Sequence, residues 1–185
     1  MIIQKILKEW SSALKFFENK KVCIIFRKGG IHEKDFVQTE DFFGFFPTFE
    51  HESKDTVKPQ YGNIKYLLND KVGYSGLGEL NYFGKIISSY QISSIDQLSQ
   101  LDPFYIWEQK YLVDRFNFRP KNPLRCYLLD VFKVKLPKRI EYDSKKAAGC
   151  TSWFELTNAV NVHSYDRIND DFQVRTAMKI LDVLS

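Results

Sequence analysis

The sequence is poor in cysteine and has no long hydrophobic run. Its three cysteines, Cys23, Cys126 and Cys150, are an odd number without CxxC spacing, which argues against both a disulfide framework and a structural zinc site. No stretch approaches the ~20 apolar residues of a membrane-spanning helix, and charged residues interrupt the N-terminal segment, unlike the apolar block of a signal peptide. We therefore predict a cytoplasmic protein with reduced thiols and no membrane association.

Specific signatures of catalysis are missing as well. The sequence has neither the GxxxxGK-Ser/Thr spacing of a P-loop nor a GxGxxG dinucleotide fingerprint. Two acidic-histidine groups, His32 with Glu33 and Glu50 with His51, lack the i, i+4 histidine pair of a zinc helix and the ligand series of a calcium loop. These absences predict no metal and no cofactor, and they favour a binding protein over an enzyme.

The apolar residues are numerous enough for one domain spanning residues 1–185, since 44% of the chain is hydrophobic and 16% aromatic. Helical spacing of apolar residues predicts an amphipathic helix over 3–17, and similar patterns predict helices over 94–101, 105–116 and 171–184. Apolar runs and alternating patterns predict strands over 22–26, 80–92 and 124–136. The sequence therefore predicts an α+β fold, in which a curved antiparallel sheet or small β-barrel is flanked by N- and C-terminal helices.

Positive charge is concentrated in one segment. The net charge is +4, yet residues 115–139 contain eight basic residues against Asp130 alone. Within the predicted strand, period-two geometry puts Arg125, Tyr127 and Lys133 on one exposed face. Such clustering is typical of surfaces that bind polyanions, although a solvated basic face is the alternative.

Two further stretches combine cations with features suited to nucleotides. The predicted strand 22–26 ends in Arg27-Lys28-Gly29-Gly30, where glycine amides and a guanidinium group could hold a phosphate, or where a hairpin turn could lie. Aromatic residues alternate with arginines through Trp107, Tyr111, Arg115 and Arg119, and this pattern is typical of proteins that stack unpaired bases. Packing of the aromatics in the core is the competing interpretation.

Several of these segments occur in the order found in the bacterial domain-of-unknown-function family 1802, which the chain resembles over nearly its whole length. The matching segments are Arg27 to Ile31 with Glu33, Phe46 to Thr48 with His51, Ile106-Trp107 with Tyr111 and Arg115, Arg119-Pro120, Pro123-Leu124, and Gly149-Cys150 with Ser152-Trp153 and Glu155-Leu156. The resemblance implies a link to restriction-modification systems. The opening of the chain is more distantly similar to the PUA-like barrels of the ASCH and EVE groups, which implies a nucleic-acid reader with a base pocket.

The leading hypothesis is a nucleic-acid-binding accessory domain that reads a base or nucleotide in a pocket near Arg27, Trp107 and Trp153. The residues predicted to bind nucleic acid are Arg27, Lys28, Gly29, Gly30, Trp107, Arg115, Arg119, Lys121, Arg125, Lys133 and Trp153. The residues predicted to complete the pocket are Glu33, Thr48, His51, Tyr111 and Ser152. The alternatives are a metal-dependent nuclease or phosphodiesterase built on Glu33, Glu50 and His51, and an interaction subunit of a restriction complex.

Overall fold

The fold is a curved sheet of seven strands with helices packed around it. The computed structural model describes residues 1–28, 41–48, 54–61, 74–148 and 151–183. In chain order the elements are β1 (Ile2–Trp10), α1 (Ser11–Lys20), β2 (Cys23–Arg27), β3 (Phe43–Thr48), β4 (Leu77–Ile92), α2 (Ile95–Gln100), α3 (Gln109–Asn117), β5 (Leu124–Glu141), α4 (Ser144–Ala147), β6 (Trp153–Asn161), β7 (Tyr165–Arg167) and α5 (Asp171–Val183). Short 3-10 turns lie at Lys54–Thr56, Pro59–Tyr61 and Asp102–Phe104.

The strands pair in the order β2-β5-β4-β3-β1-β6, and β7 adds to β5. Every ladder is antiparallel except that between β1 and β3, which is parallel. An isolated bridge between Tyr142 and Leu156 brings the end of β5 to β6, so the curved sheet nearly returns on itself. The predicted α+β class with a curved, mainly antiparallel sheet and helices at both ends is confirmed.

Apolar side chains cover both faces of the sheet. One cluster packs α1, α2, α3 and α5 against β2 and the first half of β5, with Phe16, Leu98, Leu112 and Leu181 among its buried residues. Two further clusters lie on opposite sides of β1, one with Ile3 and Ile6 and the other with Leu7 and the α1 residues Leu14 and Phe17. Because both faces are covered at the centre, β1 and β5 show continuous burial where alternation would be typical of a half-exposed strand.

The helix predicted over 3–17 is wrong in its first half, because residues 2–10 form strand β1 and the helix begins only at Ser11. The apolar residues Ile3, Ile6 and Leu7 face two different core clusters on opposite sides of the strand. A short apolar run buried on both faces cannot be distinguished from a helix by periodicity. The β-branched isoleucines of this segment favour the strand.

Two helices are capped at their N-termini by side chains. The Ser94 side chain accepts a hydrogen bond from the backbone amide of Gln97 at the start of α2, and Asp170 Oδ1 accepts from the amides of Phe172 and Gln173 at the start of α5. The exposed face predicted for β5 is wrong at its centre, where Tyr127, Leu129 and Val131 are buried. None of the helices in the described ranges has the length and hydrophobicity needed to cross a membrane.

Candidate functional site

A pocket of about 320 Å³ opens where β1 and β2 end beside α3. Its walls come from the last residues of both strands, from Trp107, and from one side of the helix. The lining residues are Glu9, Trp10, Phe26, Arg27, Trp107, Tyr111, Leu112 and Arg115. We call it the arginine pocket. Four residues predicted from the sequence, namely Arg27, Trp107, Tyr111 and Arg115, therefore lie around one cavity.

Aromatic rings form one wall of the arginine pocket. The Trp10 ring lies 5.2 Å from Tyr111 and 6.3 Å from Trp107, centroid to centroid, and Phe26 lies 6.1 Å from Trp107. The backbone of Trp107 is fixed by a bridge to Val57. Helical spacing places Tyr111 and Arg115 on the same face of α3, and both line the pocket.

A buried ion pair lies at the base of the pocket. Arg27 Nη2 donates to Glu9 Oε2 at 2.6 Å and to the backbone carbonyl of Lys8 at 2.7 Å. Glu9 Oε1 accepts from the backbone amide of Trp10 at 2.8 Å. The side chains of Arg27 and Glu9 are only 17% and 7% exposed, so the guanidinium group is held in one orientation by charge-assisted bonds.

Glu9 and Trp10 were missed by sequence reasoning. The helix prediction placed Glu9 on a solvated face and Trp10 in the core. A strand assignment for residues 2–10 would have put both residues at a strand end. Glu9 and Trp10 come close to Arg27 only through the order of the strands in the sheet, which no local sequence pattern reveals.

Lys28 holds α3 against β2. Its ammonium group is buried and donates to the carbonyls of Arg115, at 3.2 Å, and of Phe116. These carbonyls belong to the last turn of α3, where the helix has no internal donors for them. Burial lowers the pKa of Lys28, and the nearby charge of Arg115 lowers it further. The ammonium group of Lys28 thus contacts the helix end that carries Arg115.

Trp107 contributes a buried hydrogen-bond donor. The residue is 5% exposed, and its indole Nε1 has no acceptor among the residues that the structure describes. Buried donors are nearly always satisfied, so such an atom in a pocket wall calls for an explanation. A ligand with an acceptor atom could accept a hydrogen bond from this indole N–H.

Tyr111 carries a polar group at the edge of the aromatic wall. Its hydroxyl lies 3.5 Å from Arg115 Nη1. Burial raises the pKa of Tyr111, while the charge of Arg115 acts in the opposite direction. The phenol therefore stays protonated near neutral pH and can act as a hydrogen-bond donor or acceptor.

Exposed cations continue from the pocket towards the start of β5. Arg119, Lys121 and Arg125 are exposed, and Arg125 is the cross-strand partner of Arg27. Within the described residues, no carboxylate forms an ion pair with Arg115, Arg119, Lys121 or Arg125. This group of four residues, the pocket cations, leaves positive charge beside the aromatic wall.

Lys133 lies elsewhere and is neutralised. Its ammonium group is 2.8 Å from Glu18 Oε2, and the next exposed lysine, Lys135, is 3.0 Å from Asp166. Eight residues separate Lys133 from Arg125, which is roughly 26 Å along a strand. The continuous basic face predicted from the sequence is therefore divided into two regions.

Three other predicted residues can also be located. Trp153 packs against Phe43 with the rings 5.1 Å apart, in a different core cluster from Trp107, and it does not line the arginine pocket. Thr48 pairs with Trp10, and the Ser152 carbonyl accepts from the Lys8 amide at 2.8 Å. Thr48 and Ser152 thus lie on the two opposite edges of β1, near its end.

The remaining predicted residues, Gly29, Gly30, Glu33 and His51, lie outside the described residues, as does Glu50 of the nuclease alternative. In the parts of the chain that are described, no group of three His, Cys, Asp or Glu side chains could hold a metal ion.

A second pocket, of about 500 Å³, shares Tyr111 with the first. Its charged lining is mainly acidic, with the carboxylates of Asp55, Glu108 and Asp114 against Lys110. Carboxylates repel phosphate groups, so the smaller arginine pocket is the better receptor for an anionic ligand.

Comparison with known proteins agrees with the sequence resemblance. A family model described as a domain of unknown function, DUF1802, matches residues 6–178, and the chain belongs to this family. No curated protein matches it.

Among solved structures, a mutant of the ASCH protein ZmASCH from Zymomonas mobilis aligns over 95% of this chain and 96% of its own. The two share 12% sequence identity with a TM-score of 0.42. That likeness supports no inference about a ligand.

Proposed function

We propose that this domain binds single-stranded or unstacked nucleic acid and accepts one base or nucleotide in the arginine pocket. The observation that carries the proposal is the joint presence of three aromatic rings, from Trp10, Trp107 and Tyr111, and two guanidinium groups, from Arg27 and Arg115, around one cavity. Aromatic faces suit bases, and guanidinium groups suit phosphates and base edges.

The size and polarity of the pocket are compatible with a nucleotide unit. Its volume of about 320 Å³ lies at the lower end of the ~300–1,000 Å³ typical of small-molecule sites. Stacking on an aromatic side chain contributes roughly 1–3 kcal/mol per base. The indole N–H of Trp107 and the phenol of Tyr111 would give the bound base or its phosphate hydrogen-bonding partners.

The pocket cations would anchor the strand on both sides of the bound base. Because they have no ion-pair partner among the described carboxylates, they can neutralise phosphates without first breaking a salt bridge. Each neutralised phosphate of a single strand contributes a slope of about −0.7 to the dependence of log affinity on log salt concentration. We therefore expect binding that weakens steeply with salt.

The proposal is tested by fluorescence anisotropy with a labelled single-stranded oligonucleotide, as DNA and as RNA, over a salt series. We expect binding at low salt, and we expect Arg125→Gln to weaken it and to reduce the magnitude of the salt slope by about 0.7. Lys135→Gln is the matched control, since it removes one charge from the same strand at a lysine already paired with Asp166.

Absence of binding to either strand at low salt would refute the proposal. Equal loss of affinity in Arg125→Gln and Lys135→Gln would show that net charge, and not the pocket cations, determines binding.

Three more specific expectations about the biological setting of the protein stay predictions. The link to restriction-modification systems, a partner subunit from such a system and a cytoplasmic location come from the sequence. Co-purification of the native protein with a larger restriction subunit would support the first two. Cleavage of the same oligonucleotides with magnesium or manganese, abolished by Glu33→Gln, would instead support the nuclease alternative.

A further inference from the structure

An exposed aromatic ring lies just beyond the arginine pocket. Phe118 caps the C-terminus of α3 and is 59% exposed. The Arg119 guanidinium carbon lies 5.1 Å from the centre of its ring. The amide of Asn122 donates to the Arg119 carbonyl at 2.9 Å and closes a tight turn.

The backbone of this turn is constrained. Arg119 has a φ of 47°, in the left-handed region that residues other than glycine rarely adopt. Pro120 follows it at once, and Pro123 ends the segment, so two further φ angles are fixed by pyrrolidine rings. The ring of Phe118 is thus presented to solvent from a stiff support, with little packing around it.

The position of Phe118 continues the pocket-facing side of α3. Tyr111 and Arg115 line the pocket from α3, and Phe118, the C-cap residue that directly follows the helix, comes at position i+7, near the same side. Phe118 follows Arg115 by three residues, about 5 Å along the helix axis. A ligand extending from the arginine pocket along this face would meet Phe118 next.

We infer that Phe118 is a stacking platform for the nucleotide adjacent to the one in the arginine pocket, and that the ligand is a single-stranded polynucleotide and not a free nucleotide. The inference rests on the proposed function. The charges beside the ring, Arg119 and Lys121, favour a polyanion, because exposed cations that no described carboxylate neutralises attract phosphate groups. Bases stack readily on an exposed ring flanked by guanidinium groups.

The test compares Phe118→Ala, Phe118→Trp and Phe172→Ala on two kinds of probe. One probe is a single-stranded oligonucleotide of about 12 nucleotides, within the ~4–16 nucleotides that single-strand-binding domains occupy, and it carries the fluorescent base 2-aminopurine. The other probes are the free nucleoside monophosphates. Phe172 is the matched control, since it is a similarly exposed phenylalanine, at 67%, outside the basic segment.

We expect Phe118→Ala to weaken oligonucleotide binding by about 5- to 100-fold and to leave both the salt slope and monophosphate binding unchanged. Phe118→Trp should retain affinity and the quenching of 2-aminopurine, and Phe172→Ala should bind as the wild type does. Because Phe118 is exposed, its replacement leaves the core intact, which a thermal unfolding curve verifies.

Unchanged oligonucleotide binding by Phe118→Ala, while Arg125→Gln still reduces the salt slope, would overturn the inference and leave the proposed function standing. Equal losses in Phe118→Ala and Phe172→Ala would also overturn it. Failure of the wild-type protein to bind any strand would instead remove the proposed function, and the inference with it.

Discussion

The start and the middle of β5 carry basic residues in different surroundings. At the start of the strand, Arg125 lies beside Arg27 and close to an aromatic pocket, with no described carboxylate paired to it. At the middle of the strand, Lys133 and Lys135 are paired with Glu18 and Asp166. Basic residues on one strand therefore carry unpaired charge at its start and compensated charge at its middle.

This difference shows that a count of cations along a chain overestimates a binding surface. The carboxylates that neutralise Lys133 and Lys135 come from α1 and β7, far away in sequence. A third pair, Arg167 with Asp130 at 2.6 Å, neutralises a cation of β7 in the same region. Exposed pairs of this kind contribute little stability, about 0–1 kcal/mol each, but they cancel the local potential that attracts phosphates.

The largest effect is expected at the pocket end, from Arg27→Leu. This change leaves the Glu9 carboxylate buried with the Trp10 amide as its remaining partner, and the loss of one member of a buried ion pair costs about 3 kcal/mol. Urea unfolding should show this decrease in the free energy of unfolding.

The double variant Glu9→Met with Arg27→Leu serves as the control. It removes both charges, so it should recover most of the lost stability. A decrease below about 1 kcal/mol in Arg27→Leu would mean that the pair behaves as a solvated surface contact.

A smaller effect, dependent on pH, is expected at the middle of β5, where Glu18→Gln removes the partner of Lys133. Burial raises the pKa of Glu18, but hydrogen bonds from Lys133 and Tyr82 outweigh this effect and bring it below its usual 4.5. A carboxyl whose pKa is lower in the folded state stabilises the fold above the unfolded pKa, and this contribution is lost as pH falls through the folded pKa. Glu18→Gln should therefore cost about 0.5 kcal/mol near neutral pH.

Urea midpoints of the wild type and Glu18→Gln measure this difference. The two should converge as pH falls below 4.5 through the lowered pKa. A constant difference at all pH values would contradict the assignment of the stabilisation to this carboxylate.

The smallest effect is expected from removing the carboxylates paired with Lys133 and Lys135, in the double variant Glu18→Gln with Asp166→Asn. The variant leaves Lys133 and Lys135 without these partners, yet neither lysine lines the arginine pocket. We expect oligonucleotide affinity at low salt to rise by about twofold or less, through general attraction alone. A tenfold rise in the same anisotropy assay would make charge, and not the aromatic wall, the main determinant of binding.

The sequence predicted those parts of the fold that depend on local patterns. The alternation along residues 80–92, the Ser94 cap and the apolar stripe of α5 each identify their element within a few residues. The strand β1 was taken for a helix because its burial on both faces removes the alternation that would reveal it. The parallel pairing of β1 with β3 is a long-range contact that no short window contains.

The candidate site was predictable only in part for a similar reason. Trp107, Tyr111 and Arg115 stand close together in the sequence, and their aromatic and basic alternation is visible there. Glu9 and Trp10 join them only because the sheet places the end of β1 beside the end of β2. Trp153 was grouped with Trp107 by residue type, whereas burial against Phe43 sets it in another cluster.

The place of β1 between β3 and β6 in the sheet also affects how the chain is made. Its two neighbours are β3, which follows soon after it, and β6, which begins only at Trp153. At a synthesis rate of ~5–20 residues per second, the roughly 100 residues between those neighbours take about 5 to 20 seconds to emerge from the ribosome. During that interval one side of an apolar strand lacks its partner, so the nascent protein is exposed to mispairing and to capture by chaperones until β6 arrives.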